Sequence, residues 1–268
     1  IFAYQAALQD LQSIRGNLAA LNREIQFSFK ERVEPVYREL VELLFSEKIT
    51  DNLELQKNVQ DAREAIEFLQ IAELDNYFKD ACAPLRKEPV ENLDPTAATI
   101  YTIVLPKGLE VILSLPDGTL LHHTNFVTSS QVEETLQQFQ QYLQQPDRLK
   151  DVQKLSKIVY DWLINPFAEN LELAIRDREQ SKIKTLVFVL DSSLKNIPMS
   201  VLYDGSKYLI ERYAIAVAPG LKLLKTDPKQ PSEGLESLIT GISKKIVIQQ
   251  QQFIPLNQVE DEVQKINL

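Results

Sequence analysis

The sequence predicts a mixed α/β chain, α+β in overall layout: an N-terminal helical region, an antiparallel β-meander, and then an α/β portion. Three observations carry this. Apolar residues in the first 82 positions recur at helical steps of three and four. After the segment 84–96, which holds three prolines and several charges, the apolar period changes to two. Finally, residues 185–190, TLVFVL, form an uninterrupted apolar run too short for a helix and rich in β-branched residues, as suits a strand buried on both faces. With 268 residues, 44% of them hydrophobic, the chain can bury a substantial core, and the period changes divide it into regions 1–83, 97–145 and 150–268.

The helical region begins with Tyr4, Ala7, Leu11, Ile14, Leu18, Leu21 and Ile25, a seam of coiled-coil spacing. Fewer than four heptads rarely stand alone, so the seam is expected to pack on the next helices of the same chain, although a helical partner would also fit it. Pro35 is tolerated in the first turn of a helix running to Phe45, and Ile66, Leu69, Phe78 and Cys82 define a third apolar helical face, with Cys82 as a core thiol. Beyond the linker, residues 100–105, 109–115 and 119–126 read as three short strands joined by Pro106-Lys107-Gly108 and Asp117-Gly118. Ser129 or Ser130 is positioned to cap a helix to about Gln144, and a second helix over 151–178 is interrupted at Asn165-Pro166. Further on, 238–243 reads as a strand, the glutamine tract 249–252 as an exposed loop, and 257–266 as a helix capped by Asn257.

Between these lies the most specific stretch, residues 185–224, TLVFVLDSSLKNIPMSVLYDGSKYLIERYAIAVAPGLKLL. The buried strand ends at Asp191-Ser192, Ile197-Pro198 constrains the connection, and Asp204-Gly205 signals a hairpin before an alternating strand over 208–217. The order strand, D-x-x-L-K-x-I-P-M-x-x-L-x-D-G-x-x-Y-L-I-E-R-Y-A-I and P-G-L resembles the opening of the CHAT domain. This is a caspase-like family of the cysteine peptidase clan, often preceded by tetratricopeptide or other helical repeats and frequent in cyanobacteria. FSFKERVEPVYRELVELLF at 27–45, AIEFLQIAELDNYFKDAC at 65–82, IYTIVLPKGLEVILSLPDGTLLHH at 100–123 and VYDWLINPF at 159–167 resemble the same proteins. In Ser192-Ser193-Leu194-Lys195 the family usually carries glycine and arginine.

The resemblance implies a caspase-like α/β domain whose first part is present here. It also implies a catalytic histidine in an H-x-x-T-H-G-like segment and a cysteine in an S-A-C-like segment, and neither segment occurs in this sequence. The cysteine Cys82 and the histidines His122 and His123 stand in other contexts, so no catalytic residue is assigned. Since Ile1 is no initiator and Met199 is the sole methionine, the chain is expected to be part of a longer one. The expected function is that of the noncatalytic N-terminal portion of a CHAT-type cysteine peptidase, giving scaffold and docking for protein or peptide partners, upstream helical repeats included. The alternative is a pseudopeptidase or adaptor that only binds protein.

Other constellations read as structure. His122-His123 sends neighbouring imidazoles to opposite faces of a strand, and no Cys/His cluster supplies further ligands, so no metal and no cofactor are expected. Asp191-Ser192-Ser193 follows a buried strand, where α/β proteins place functional groups, but lacks a G-x-S-x-G elbow and reads as a turn. Glu39, Glu42 and Glu47, and later Glu260, Asp261 and Glu262, read as solvated helix faces. Ser243, Lys244 and Lys245 follow the strand that the resemblance places in the caspase-like sheet, and these three are the rim candidates for substrate binding. Seven scattered glycines form no phosphate loop, and a formal charge of −9 opposes binding to nucleic acid. The apolar runs fall short of a membrane span, and a single cysteine fits a reducing compartment, the cytoplasm.

Overall fold

A computed structural model describes residues 1–13, 29–46, 51–78, 94–171, 183–220, 246–248 and 251–253. The chain divides into two compact units, Ile1–Lys225 and Thr226–Leu268. In the first, helix α1 (Phe2–Ser13) is followed by a π-helical turn (Phe29–Val33) leading into α2 (Glu34–Ser46), and then by α3 (Asn52–Phe78). Pro35 sits in the first turn of α2, where its missing N–H costs nothing. Tyr37, Leu40, Val41 and Leu44 put the apolar face of α2 at helical spacing.

Three strands come next: β1 (Ala97–Leu105), β2 (Gly108–Ser114) and β3 (Leu120–Asn125). They pair antiparallel, as the alternating pattern and the two turns predict, and Gly118 takes a positive φ of 85° in the second turn. Helix α4 (Ser129–Leu143) is capped by Thr128, not by Ser129 or Ser130. Thr128 and Gln131 form a reciprocal capping box, whose three-residue spacing fixes the helix start one residue early. Helix α5 (Leu149–Leu163) buries Val152, Leu155, Val159 and Leu163 and gives way at Asn165-Pro166 to a 3-10 turn, as expected.

Strand β4 (Thr185–Val189) pairs parallel with β1, and β5 (Ala214–Val217) pairs parallel with β4. One mixed sheet of order β3-β2-β1-β4-β5 therefore joins the meander to the later α/β segment. On one face, α4 and α5 cover Ala98, Ile100, Val111, Leu186 and Phe188; on the other, α1, α2 and α3 cover Tyr101, Ile103, Ile112 and Val189. Odd and even residues of β1 thus feed two separate cores, which is why its sequence is apolar at nearly every position. Each of the Val, Leu, Ile and Phe side chains among these contributes about 1.5–3 kcal/mol by leaving water.

Two further expectations are corrected. The strand over 208–217 starts only at Ala214, because the chain after the Asp204-Gly205 turn closes a single bridge, Tyr203 to Tyr208, and then coils into a 3-10 turn at Leu209–Glu211. Asp204 accepts from the backbone N–H groups of Ser206 and Lys207, and Glu211 accepts from Tyr208 N–H, so local side-chain bonds displace the ladder of a longer hairpin. In the second unit, Gln251 and Gln252 of the expected loop belong to β7 (Gln251–Phe253), which pairs antiparallel with β6 (Ile246–Ile248). Backbone pairing is indifferent to glutamine polarity, which explains the misreading. The strand at 238–243, the helix at 257–266, most of the linker, Cys82 and the second half of the N-terminal seam lie outside the described residues.

Candidate functional site

Parallel pairing brings the carboxyl ends of β1 and β4 to the same edge of the sheet, with Tyr101 beside Val189. The chain leaves β4 through Leu190 and Asp191, and leaves β1 through Val104 and Leu105. Asp191, with no solvent exposure, is fixed here from three directions. Arg38 of α2 donates from Nη1 and Nη2 to its two carboxylate oxygens at 2.6 and 2.9 Å. Val104 N–H donates to Oδ2 at 2.8 Å, and the N–H of Asp191 itself donates to Thr102 Oγ1 at 3.0 Å. Arg38 also donates to Val104 O at 2.8 Å and from Nε to Glu34 at 2.7 Å, one helical turn away. Burial works against the guanidinium charge, but Asp191 and then Glu34 outweigh it, so the Arg38 pKa is raised.

The fork geometry of the guanidinium explains why an arginine occupies this place: two donors meet the carboxylate in plane while the remaining ones reach a carbonyl and a second carboxylate. Sequence reasoning gave Asp191 a turn role and did not single out Arg38. An aspartate closing a doubly buried strand was the available signal, because a carboxylate there requires a cation from another element.

Above this pair opens a cleft of about 700 Å³, lined among others by Glu34, Glu73, Ser192, Ser193 and Lys195. Lys195 donates to Glu73 of α3, and Ser193 Oγ donates to Glu133 of α4. Burial raises the Glu73 pKa from its usual 4.5, with Lys195 opposing. Ser192, where the resembled family carries glycine, stands at φ 49°, in the left-handed region. The cleft wall is thus drawn from α2, α3, α4 and the turn after β4. Its groups are held in mutual ion pairs and hydrogen bonds, an arrangement that fixes elements and offers polar contacts to a ligand.

The histidines point apart, as expected. His122 stacks on Phe45 at 3.7 Å between ring centres, and its Nε2 lies 2.7 Å from Glu110, which also accepts from Thr124. His123 meets the edge of Phe167 across the other face. Among the described residues no group of three His, Cys, Asp or Glu side chains is placed to hold a metal. Of the acidic residues, Glu39 accepts from Tyr4 and so ties α1 to α2, a link that the sequence did not disclose. Ser243, Lys244 and Lys245 lie outside the described residues, as do Glu47, Glu260, Asp261 and Glu262. Among the described residues no helix is long and apolar enough to cross a membrane.

Residues 153–267 match the sequence model of the CHAT domain, a caspase-like, peptidase-related family. A search of the curated proteins finds no match. The matched segment begins inside α5 and contains β4 and β5, whereas β1, Arg38 and Val104 precede it.

Proposed function

We propose that this chain, whose residues 153–267 carry a CHAT domain, is the noncatalytic N-terminal portion of a CHAT-type caspase-like cysteine peptidase, and that it acts as scaffold and as a docking module for protein partners. The observation that carries this reading is the Asp191 node. Strand β4 of the CHAT segment is hydrogen-bonded along β1, and its terminal aspartate is held by Arg38 and Val104. All three partners lie outside the family match, so the preceding helices and meander complete the fold of this segment instead of trailing from it as a separate tether. The noncatalytic part of the reading is supported by the sequence, in which neither the H-x-x-T-H-G-like nor the S-A-C-like segment occurs; a histidine-assisted thiolate needs both groups.

The test is incubation of the purified chain with denatured casein and a peptide library, followed by mass spectrometry. No new termini beyond a buffer control are expected. Cleavage that disappears in Cys82→Ala overturns the proposal.

A further inference from the structure

The solvent face of α5 departs from the charge of the chain as a whole. Against a formal net charge of −9, Lys150, Lys154 and Lys157 follow one another at steps of four and three and so share one stripe of the helix. The opposite face carries Val152, Leu155, Val159 and Leu163 into the core. Lys157 is held by Asp161 one turn on, with its Nζ 2.8 Å from the carboxylate. Lys150 and Lys154 are exposed, and among the described residues neither pairs with a carboxylate.

One turn past Lys154 the stripe meets a shallow hollow of about 380 Å³, lined by Gln153, Lys154, Lys157, Ile158 and Tyr203. Its surface is almost wholly apolar, so the two lysines contribute their methylene stems to it. The far wall is built in advance. Tyr203 packs on Tyr208 with ring centres 5.0 Å apart, and its hydroxyl donates to Gly205 O at 2.8 Å. Gln153 donates to the Tyr208 hydroxyl at 3.1 Å, and a Cβ on Gly205 would meet the Lys157 stem at 3.6 Å, so this turn is seated directly on α5.

Two unpaired cations leading to an apolar hollow select a partner by charge complementarity. Carboxylates are drawn to Lys150 and Lys154, and a cationic segment is repelled. A four-residue helical step sets the two lysines about 6 Å apart along the axis and Ile158 the same distance further on. Alternate side chains of an extended peptide repeat at nearly that interval, about 6.6 Å. Nucleic acid and anionic membranes call for larger basic clusters than this acidic chain offers here. We propose that this face of α5 is a docking surface for an extended acidic peptide segment, whose two alternate carboxylates pair with Lys150 and Lys154 while the next alternate side chain, aromatic or large and apolar, packs against Ile158 and Tyr203. It rests on the docking role proposed above and gives the partner a chemistry.

The experiment titrates Ac-Glu-Gly-Glu-Gly-X-Gly-Glu-Gly-Glu-NH2, which presents the same pattern in either chain direction, into the ¹⁵N-labelled chain and follows it by NMR. Saturable shifts of the Lys154, Lys157, Ile158 and Tyr203 backbone amides are expected with X as Phe or Leu. Much weaker binding is expected with X as Ala, or with Gln in place of every Glu around Phe. Affinity should fall as salt rises from about 50 mM to about 500 mM. Lys150→Gln with Lys154→Gln removes two exposed ion pairs to the peptide and is expected to weaken the Phe peptide about tenfold, with the folding midpoint in urea unchanged. No saturable shift with X as Phe at millimolar peptide, equal binding of the Gln peptide, or unchanged affinity in the double variant overturns the docking surface. Tighter saturation of the same amides by oligothymidylate or phosphatidylserine vesicles overturns the assignment to a peptide. Mass spectra of the same mixtures separate the two proposals: peptides cut by the chain but not by Cys82→Ala defeat the noncatalytic reading whether or not they bind, whereas uncut, unbound peptides defeat only the docking surface.

Discussion

Replacing Asp191 by alanine tests whether the buried ion pair holds α2 and the CHAT segment together. The carboxylate accepts three hydrogen bonds, two from Arg38 and one from Val104 N–H. Its removal leaves the Val104 N–H without a partner, a loss of about 1–3 kcal/mol. The guanidinium, 18% exposed, keeps Glu34 and Val104 O but loses its bidentate partner. Breaking one side of a buried pair costs about 3–5 kcal/mol in total, and the whole of that range is expected here because Asp191 is fully enclosed. Trp162 is the chain's sole tryptophan and lies in α5 of the first unit, so its fluorescence in urea reports the relevant transition. A midpoint lower by more than about 1 M is expected. Arg38→Met should cost a similar amount, and Arg38→Met with Asp191→Leu less than the sum, because the double variant leaves no unpaired charge. If Asp191→Ala lies within about 1 kcal/mol of the unchanged chain, or the two losses add fully, the node is not what joins these elements.

Ser192→Gly removes the side chain from a residue held at φ 49° and is expected to leave stability unchanged or raise it by up to about 1 kcal/mol, with the loss of strain set against the entropy of glycine; a clear loss in urea unfolding would show that the hydroxyl has a structural role. Glu73 predicts a pH dependence. Its folded pKa is raised above 4.5, so its contribution to stability is fully present below that pH and is lost as pH rises through the raised value. Glu73→Gln does not titrate there, and its midpoint should therefore gain on that of the unchanged chain between pH 4 and pH 7; a gain in the opposite direction would mean that pairing with Lys195 dominates burial.

What was legible in the sequence was local. Strands β1, β2 and β3 fell within a few residues of their pattern because each is bounded by a Pro-Lys-Gly or Asp-Gly turn. The 3-10 break at Asn165-Pro166 followed from proline geometry alone. The parallel pairing of β1 with β4 was not legible, since it joins residues 88 positions apart and period-two patterns do not name a partner. The site was hidden for the same reason. In the sequence Asp191 reads as one turn with Ser192 and Ser193, yet its partners come from α2 and β1, 153 and 87 residues earlier.

The position of the family boundary within the sheet sharpens the functional argument. Among the described residues, the segment 153–267 contains β4 and β5 but not β1, and without β1 the described part of β4 has one unpaired edge. In the chain that edge is filled by β1, whose own far side is closed by β2 and β3. The meander thus satisfies the backbone of the CHAT segment, and α2 and α3 cover its second face. The helices outside the match therefore support the CHAT strands from the second face of the sheet.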